Sequence, residues 1–554
     1  MSDGPLIVQS DRTVLLEVAH PDAQSARHAL GVFAELERAP EHMHTYRLTR
    51  LGLWNARAAG HTADEIISTL GQYAKFPIPA AVETDVRETL GRYGRLVITR
   101  DDDGLVLESP DASVLQQVAG NKKVTDLLES APEAIPDGPG LRVRVRDWAR
   151  GELKQQLLKL GWPAEDTAGY TPGTPHPMQL DEDGWQLRDY QRDAVEHFLA
   201  DGSGVVVLPC GAGKTIVGAA AMTRVAATTL ILVTNTVSAR QWRAELLRRT
   251  SLTEDEIGEY SGEVKEIKPV TIATYQILTS RKKGEYQHLS LLDALDWGLI
   301  VYDEVHLLPA PVFKLTAELQ ARRRLGLTAT LVREDGREGD VFSLIGPKRY
   351  DAPWKDIEAQ GFISPAACFE VRVDLPPDAR IEYAAANDED RYRLAATAPV
   401  KLDVVRSLIS RHEGERILVI GQYLDQLECL ADALGAPALT GQTAVAERER
   451  LYQAFRDGSE PILVVSKVAN FSVDLPDASV AIQVSGSFGS RQEEAQRLGR
   501  LLRPSEHAAQ ASFYTVITRD TVEQDFAQNR QRFLAEQGYA YEILDATHVL
   551  GTHA

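Results

Sequence analysis

Residues 203–221 constrain the fold of this chain more than any other stretch. Ser203-Gly204-Val205-Val206-Val207-Leu208 reads as a buried, β-branched strand; Pro209-Cys210-Gly211-Ala212-Gly213-Lys214-Thr215 follows, and then the small-residue helix Ile216-Val217-Gly218-Ala219-Ala220-Ala221. Strand, glycine loop, Lys-Thr and helix in that order build a phosphate-binding loop. Backbone N–H groups of Gly211, Ala212 and Gly213 and the start of the helix wrap an anion, and the helix dipole favours its charge. Lys214 then reaches the outer phosphates and the Thr215 hydroxyl sits on Mg²⁺. The common spacing has glycine where this chain has Leu208, so Gly211 and Gly213 supply the loop's freedom. A plain glycine turn entering an ordinary helix is the alternative, and Lys214 with Thr215 weighs against it.

A second feature lies about ninety residues on. The apolar run Gly298-Leu299-Ile300-Val301-Tyr302 ends in Asp303-Glu304-Val305-His306. Two adjacent carboxylates at the end of a buried strand are costly unless a cation or proton satisfies them. Asp303 suits a nucleotide-bound Mg²⁺, and Glu304 suits polarisation of an attacking water. Alone such a pair more often begins a solvated turn. With the phosphate loop upstream, the two predict an ATPase core using ATP and Mg²⁺.

Size and composition bound the rest. The 554 residues are enough for three or four domains, and 44% hydrophobic with 25% charged residues is ordinary globular composition. Cys210, Cys368 and Cys429 have no metal-ligand spacing and no disulfide framework, which fits a cytoplasmic location. No apolar run approaches the roughly 18 residues of a membrane span, and the first residues open no signal peptide. A formal charge of −20 predicts weak, salt-sensitive non-specific nucleic-acid binding, while leaving room for a local basic groove.

The patterning divides the chain. Residues 1–90 read as a mainly helical domain, with helices Ala23 to Glu37, His44 to Ala59 and Thr62 to Tyr73, the last capped by Thr62. In residues 91–163, a hairpin turns at Asp101-Asp102-Asp103-Gly104, and Leu141 to Arg146 alternates to give one row of Arg142, Arg144 and Arg146. An amphipathic helix from Trp148 to Leu160 follows. Residues 164–184, rich in Pro, Gly and Thr, read as a linker. From 185 to 350, strands at Val205–Leu208, Thr229–Thr234, Val270–Ala273, Gly298–Tyr302 and Arg324–Leu327 alternate with helical or polar segments, the pattern of a covered parallel sheet. A second such series fills 351–540, and 541–554 reads as a C-terminal tail. Two nucleotide-fold lobes in tandem, only one with a phosphate loop, narrow the ATPase class.

Further motifs tie the lobes together. Gln496, Arg500 and Arg503 fall at i, i+4 and i+7 of a predicted helix in the second lobe, on one face. That face can point across a cleft at a γ-phosphate, where an arginine finger is worth roughly 10³–10⁵ in rate; an exposed basic helix is the plain alternative. Thr328 and Thr330, ending the last strand of lobe one, are placed to bond the Asp303-Glu304 region and couple hydrolysis to movement. His306 is either a contact toward that threonine segment or Gln496, or a half-buried strand-end histidine. Arg188 and Gln191 precede the phosphate-loop strand, where Gln191 has both an acceptor and a donor for an adenine edge.

Taken together, Pro209 to Thr215, Asp303 to His306, Thr328-Ala329-Thr330 and Gln496 to Arg503 resemble the motif set of superfamily 2 helicases. Within it, four stretches are similar to the XPB (xeroderma pigmentosum group B) family, in its prokaryotic form: Leu325 to Asp335, Ile345-Gly346-Pro347-Lys348, Ser466 to Asn470 with Asp474-Leu475-Pro476, and Gly489 to Arg500. Residues 185–540 carry the likeness strongly. Glu35 to Pro40 and Leu53 to Gly60 extend it toward the N-terminus.

The resemblance implies an α/β fold of two tandem RecA-like parallel-sheet lobes preceded by N-terminal α+β domains. It implies a DNA-dependent ATPase moving 3′ to 5′ and opening duplexes in repair or transcription, with DNA junctions as substrate and a nuclease or transcription factor as partner. It also implies a cytoplasmic, nucleoid-associated protein. Arg333-Glu334-Asp335 matches the family's loop implicated in strand separation. A thumb insertion is expected near 376–399, although Asn387-Asp388-Glu389-Asp390 there suits phosphate poorly, apart from Arg391 and Arg393. Residues 91–163 occupy the place of the family's damage-recognition domain. DNA contacts are expected from Asn235, Ser238, Arg240, Thr274, Ser466 and Lys467, whose amides, hydroxyls and charges bind phosphate without reading bases. Trp242 reads as core packing rather than a base-stacking platform. A double-strand translocase, a non-catalytic scaffold and an RNA-dependent motor are the rival readings.

Overall fold

The computed structural model describes residues 4–551 except 40–41, 137, 210, 283–284, 310–311, 313–318, 321, 330–336, 353, 467–477, 487–509, 538 and 540. Two seven-stranded parallel sheets dominate it. The first runs, in spatial order, through Ile257–Tyr260, Val270–Thr274, Thr229–Val233, Leu299–Asp303, Arg323–Thr328, Ser203–Val207 and Lys348–Asp351. Its central strands are continuous β-branched and leucine runs, as burial on both faces demands. The strand Arg323–Thr328 lies between the other two that matter: Val207 pairs with Thr328 and Leu327 with Asp303. That register brings the phosphate loop, Glu304 and Thr328 out of one sheet edge side by side.

The second sheet has the order Ala438–Leu439, Ile462–Ser466, Ile417–Gly421, Val480–Gln483, Ala511–Thr518, Ala366–Val373 and Tyr541–Asp545. Residues 541–551, read as part of a tail, are therefore not one. Tyr541–Asp545 is the edge strand, parallel to Ala366–Val373, and the helix Ala546–Leu550 packs behind it with Val549 buried. Its Tyr-Glu-Ile-Leu-Asp sequence is too short and too charged to stand out as a strand without its neighbour.

The N-terminal region also departs from expectation. Four helices (Ala23–Leu30, Arg50–Ala58, Ala63–Tyr73 and Ala80–Arg92) cover an antiparallel sheet ordered Leu6–Val8, Thr13–Glu17, Met43–Arg47, Glu35–Arg38. The helix expected through Glu37 ends at Leu30, and the one expected from His44 starts only at Arg50, where Thr49 caps it through Gly52 N–H. Both intervening segments pair as strands: Met43–Arg47 completes the second edge of Thr13–Glu17, and Glu35–Arg38 in turn pairs with Met43–Arg47. Thr62 caps the next helix in a reciprocal capping box with Glu65.

Residues 91–163 hold the expected hairpin, Val97–Asp101 with Gly104–Ser109, inside a five-stranded sheet with helices Ala112–Ala119 and Arg150–Lys159. Trp148 lies in a 3-10 turn before the last helix. The segment read as a linker is a strap on lobe one. Thr174 N–H bonds Asp296 O at 2.8 Å, and Gly173 lies so close to Gly298 that a Cβ there would come within 2.3 Å of backbone. Both N-terminal domains dock on lobe one: Lys348 N–H to Asn55 Oδ1 at 2.9 Å, Lys154 Nζ to Gln320 Oε1 at 2.9 Å, and Gln155 Nε2 to Asp340 Oδ1 at 2.8 Å.

Candidate active site

The loop after Ser203–Val207 turns twice through left-handed backbone, at Gly211 and Gly213, both with φ +82°. Gly213 is doubly required. A Cβ there would sit 2.5 Å from Gln191 Nε2, the side chain that braces the loop by donating to Ala212 O at 2.8 Å. Tyr190 Oη donates to the same carbonyl. Gln191 Oε1 accepts from Arg188 N–H at 3.0 Å, so one donor and one acceptor of this amide already serve the protein. Arg188 stacks over Phe362 at 4.4 Å and reaches Tyr190 Oη, at the seam with the second lobe. Lys214 and Thr215 open the helix Lys214–Val225, whose first turn starts directly from the loop.

Glu304 holds a left-handed conformation (φ +49°, ψ +55°), a rare one for a residue with a side chain. Such backbone costs on the order of 1–3 kcal/mol and persists where the surroundings over-determine it. Here the turn aims the carboxylate back at the phosphate loop: Glu304 Oε1 lies 3.3 Å from Lys214 Nζ and Oε2 lies 3.5 Å from His306 Nδ1. The same His306 nitrogen is 2.6 Å from Thr328 Oγ1. Lys214, Glu304, His306 and Thr328 thus form one connected chain across three strand ends.

The two carboxylates are held differently. Burial, and next the Glu304 charge, push the Asp303 carboxyl up to about 6, against Trp242 and Lys214. Burial also acts to raise Glu304, but Lys214, His306 and the Ala329 N–H outweigh it and leave Glu304 below its ordinary value. Asp303 Oδ2 accepts from Trp242 Nε1 at 2.9 Å and its carbonyl accepts from Tyr275 Oη at 2.7 Å. Trp242, read as core packing, is core and also this hydrogen-bond donor; a buried indole needs an acceptor, the signal that points to it.

The residues fit a magnesium nucleotide. The glycine cradle closes against Gln191, the helix N-terminus faces it, and Asp303 is a buried carboxylate that a cation would relieve. Among the described residues no cluster of three or more His, Cys, Asp or Glu is arranged for a metal, so an ion beside Asp303 would draw its other ligands from the Thr215 hydroxyl, phosphate and water.

Other expected site residues divide. Asn235 caps the helix Thr236–Arg249, accepting from Ser238 N–H, and Ser238 Oγ meets Thr234 Oγ1 at 3.3 Å. Arg240 is exposed on that helix, while Thr274 and Ser466 are buried at strand ends. Arg391 donates to the carbonyls of Tyr383 and Ala384, and Arg393 pairs with Asp425 at 2.5 Å, within a helical hairpin of Pro377–Ala385 and Asp388–Ala396. Arg142 pairs with Glu133, and Arg144 with Asp101 and Asp103. Thr330, Arg333, Glu334, Asp335, Lys467, Gln496, Arg500 and Arg503 lie outside the described residues.

Comparison with known proteins points one way. The family described as ERCC3/RAD25/XPB C-terminal helicase matches residues 357–553, "Type III restriction enzyme, res subunit" matches 184–333, and "Helicase conserved C-terminal domain" matches 6–131. The chain is 65% identical over 554 residues to the "DNA 3'-5' helicase XPB" of Kineococcus radiotolerans, covering all of this chain and 98% of that one. It is 61% identical over 552 residues to the protein of the same name from Mycobacterium tuberculosis, covering both in full. A microsporidian relative from Antonospora locustae, "General transcription and DNA repair factor IIH helicase/translocase subunit XPB", is 33% identical, covering 98% of this chain and 82% of its own.

Proposed function

The chain belongs to the XPB family of DNA 3'-5' helicases, and from that premise we propose that it is an ATP-dependent motor that opens DNA duplexes at single-strand/duplex junctions, in repair or transcription. The observation that carries this reading is the chain Lys214–Glu304–His306–Thr328, which links the phosphate loop to the last strand of lobe one.

Bound Mg-ATP supplies the phosphoryl group and the cation that neutralises it. Lys214 and Thr215 would hold phosphate and metal, with Gly211, Ala212 and Gly213 as the cradle and Asp303 beside the metal. Arg188 and Gln191 flank the base. Glu304, kept ionised by Lys214 until a nucleotide enters, takes the proton of the attacking water. While Lys214 is paired with Glu304, the base is engaged; an incoming phosphate draws the lysine away and frees the carboxylate. His306 feels that change directly and passes it to Thr328 and, along the chain, toward Thr330 and Arg333-Glu334-Asp335, which we assign to strand separation. Gln496, Arg500 and Arg503 complete the charge stabilisation when lobe two closes. Asn235, Ser238, Arg240 and Lys467 track the DNA backbone, while Thr274 and Ser466, buried at their strand ends, are withdrawn from it.

No helix among the described residues is long and apolar enough to cross a membrane. We place the protein in the cytoplasm with the nucleoid, working with a nuclease or a transcription or repair factor. Forked duplexes with 3′ or 5′ tails and a fluorescent strand, run beside a triplex-displacement assay, test the reading. ATP-dependent release from 3′-tailed forks is expected. Triplex displacement without strand release at any fork would replace unwinding by double-strand translocation.

A further inference from the structure

The helix Ala23–Leu30 turns Ala23, Ala26, Arg27 and Leu30 inward, the spacing of a core-facing stripe. An arginine in such a stripe is uncommon without a partner. Facing the same interior, the strand Met43–Arg47 buries His44 and Tyr46 on one side. Arg27 is 9% exposed and Tyr46 2%.

Arg27 and Tyr46 line a cavity of about 660 Å³ where the N-terminal domain meets both lobes, with Phe33 and Leu36 on one wall, Phe342 on the lobe-one wall and Arg532 on the lobe-two wall. The other lysines and arginines of the wall each have a carboxylate: Lys348 with Asp351 at 2.7 Å, Arg349 with Asp201 at 2.9 Å, Lys355 with Glu358 at 2.5 Å and Arg532 with Glu536 at 3.6 Å. Among the described residues Arg27 has none. Its Nε and His44 Nδ1 are buried without a hydrogen-bond partner, and the Tyr46 hydroxyl meets the Arg27 guanidinium beside it. A buried guanidinium that shares a cavity wall with a hydroxyl and meets no carboxylate is an arrangement that an anion completes.

We propose that this cavity binds a small anionic ligand with an apolar body, its phosphate or carboxylate held by Arg27 and Tyr46 and its body against Phe33, Leu36 and Phe342. The volume suits a small-molecule ligand. Burial raises the Tyr46 hydroxyl, so Tyr46 stays protonated, and the Glu35 carboxylate is turned to the Thr49 hydroxyl, which donates to it at 2.6 Å. Glu338 on the same wall selects for one compact charge and against a polyanion. The proposal is independent of the motor's reading.

Calorimetric titration of the full chain with 1-naphthyl phosphate, 1-naphthol and inorganic phosphate tests it, with Lys214→Ala silencing the phosphate loop. Wild type and Lys214→Ala are expected to bind one naphthyl phosphate each, naphthol at least about tenfold more weakly, and Arg27→Met to lose at least about tenfold in affinity. Tyr46→Phe is expected to lose less. The thermal midpoint of Arg27→Met should hold or rise, because an unmatched charge has gone. Equal binding by Arg27→Met, binding lost only in Lys214→Ala, naphthol binding as tightly as its phosphate, no binding to wild type (a water-filled cavity only), or a lowered Arg27→Met midpoint would each overturn it.

Discussion

Trp242 Nε1 donates to Asp303 Oδ2 at 2.9 Å, across the helix that follows the phosphate loop. Gly218 on that helix leaves the lane open, since a Cβ there would meet the indole at 2.5 Å. The indole fixes which way the buried carboxylate points. Trp242→Phe keeps the packing and removes the donor, a charge-assisted bond worth about 1.5–3 kcal/mol. The Mg²⁺ concentration for half-maximal ATPase should rise about tenfold or more, with the thermal midpoint little changed. An unaltered Mg²⁺ titration would show that the bond does not position Asp303.

His306 and Thr328 predict an uncoupled motor. Thr328→Val keeps shape and removes the hydroxyl that meets His306 at 2.6 Å. Coupling energies of this kind change a linked equilibrium by roughly 5- to 150-fold. Strand separation per ATP hydrolysed should fall within that range while ATP hydrolysis persists. Equal loss of both activities would place Thr328 in the chemistry instead.

The N-terminal domain predicts a pH dependence. Burial, and then Arg27, lower the His44 imidazole from 6.5 to about 4. Between those values the unfolded chain takes up a proton that the folded chain refuses, so stability falls as pH drops from 6.5 toward 4 and is unaffected above. The full shift corresponds to about 3 kcal/mol. Urea melts at pH 7, 5.5 and 4.5 should show a steeper loss for wild type than for His44→Met. Parallel curves would contradict a buried neutral histidine.

Lobe two has its own sensitive point. Lys401 Nζ bonds Glu523 Oε1 at 2.7 Å and Val484 O at 2.8 Å, and Glu523 Oε2 accepts from Thr518 N–H at 2.9 Å, all buried. Removing one partner of such a pair costs about 3–5 kcal/mol because the other charge stays buried. Lys401→Met should therefore destabilise the lobe by about that amount in denaturant titration, and Lys401→Met/Glu523→Leu should recover much of it.

The motor's plan was legible because its chemistry is local in sequence. Gly211 to Thr215 and Asp303-Glu304 announce themselves by residue type, and unbroken runs such as Thr229–Val233 mark strands buried on both faces. What was not legible depends on partners far along the chain. Glu35–Arg38 and Tyr541–Asp545 become strands only beside neighbours that complete their hydrogen bonds, so helical or tail readings were natural. Nothing beside Lys401 in the sequence marks it as one half of a buried pair, because Glu523 is 122 residues away. The 164–184 segment has linker composition, yet Pro172, Gly173 and Pro175 serve close backbone contact with lobe one.

The central claim is that Glu304 takes the proton of the attacking water. Phosphate release by Glu304→Gln on forked DNA, measured beside DNA affinity by fluorescence anisotropy, tests it most directly. A fall of about 10²–10⁴ in the DNA-stimulated rate with DNA affinity retained is the predicted result. A Glu304→Gln protein that hydrolyses ATP at the wild-type rate would contradict the account.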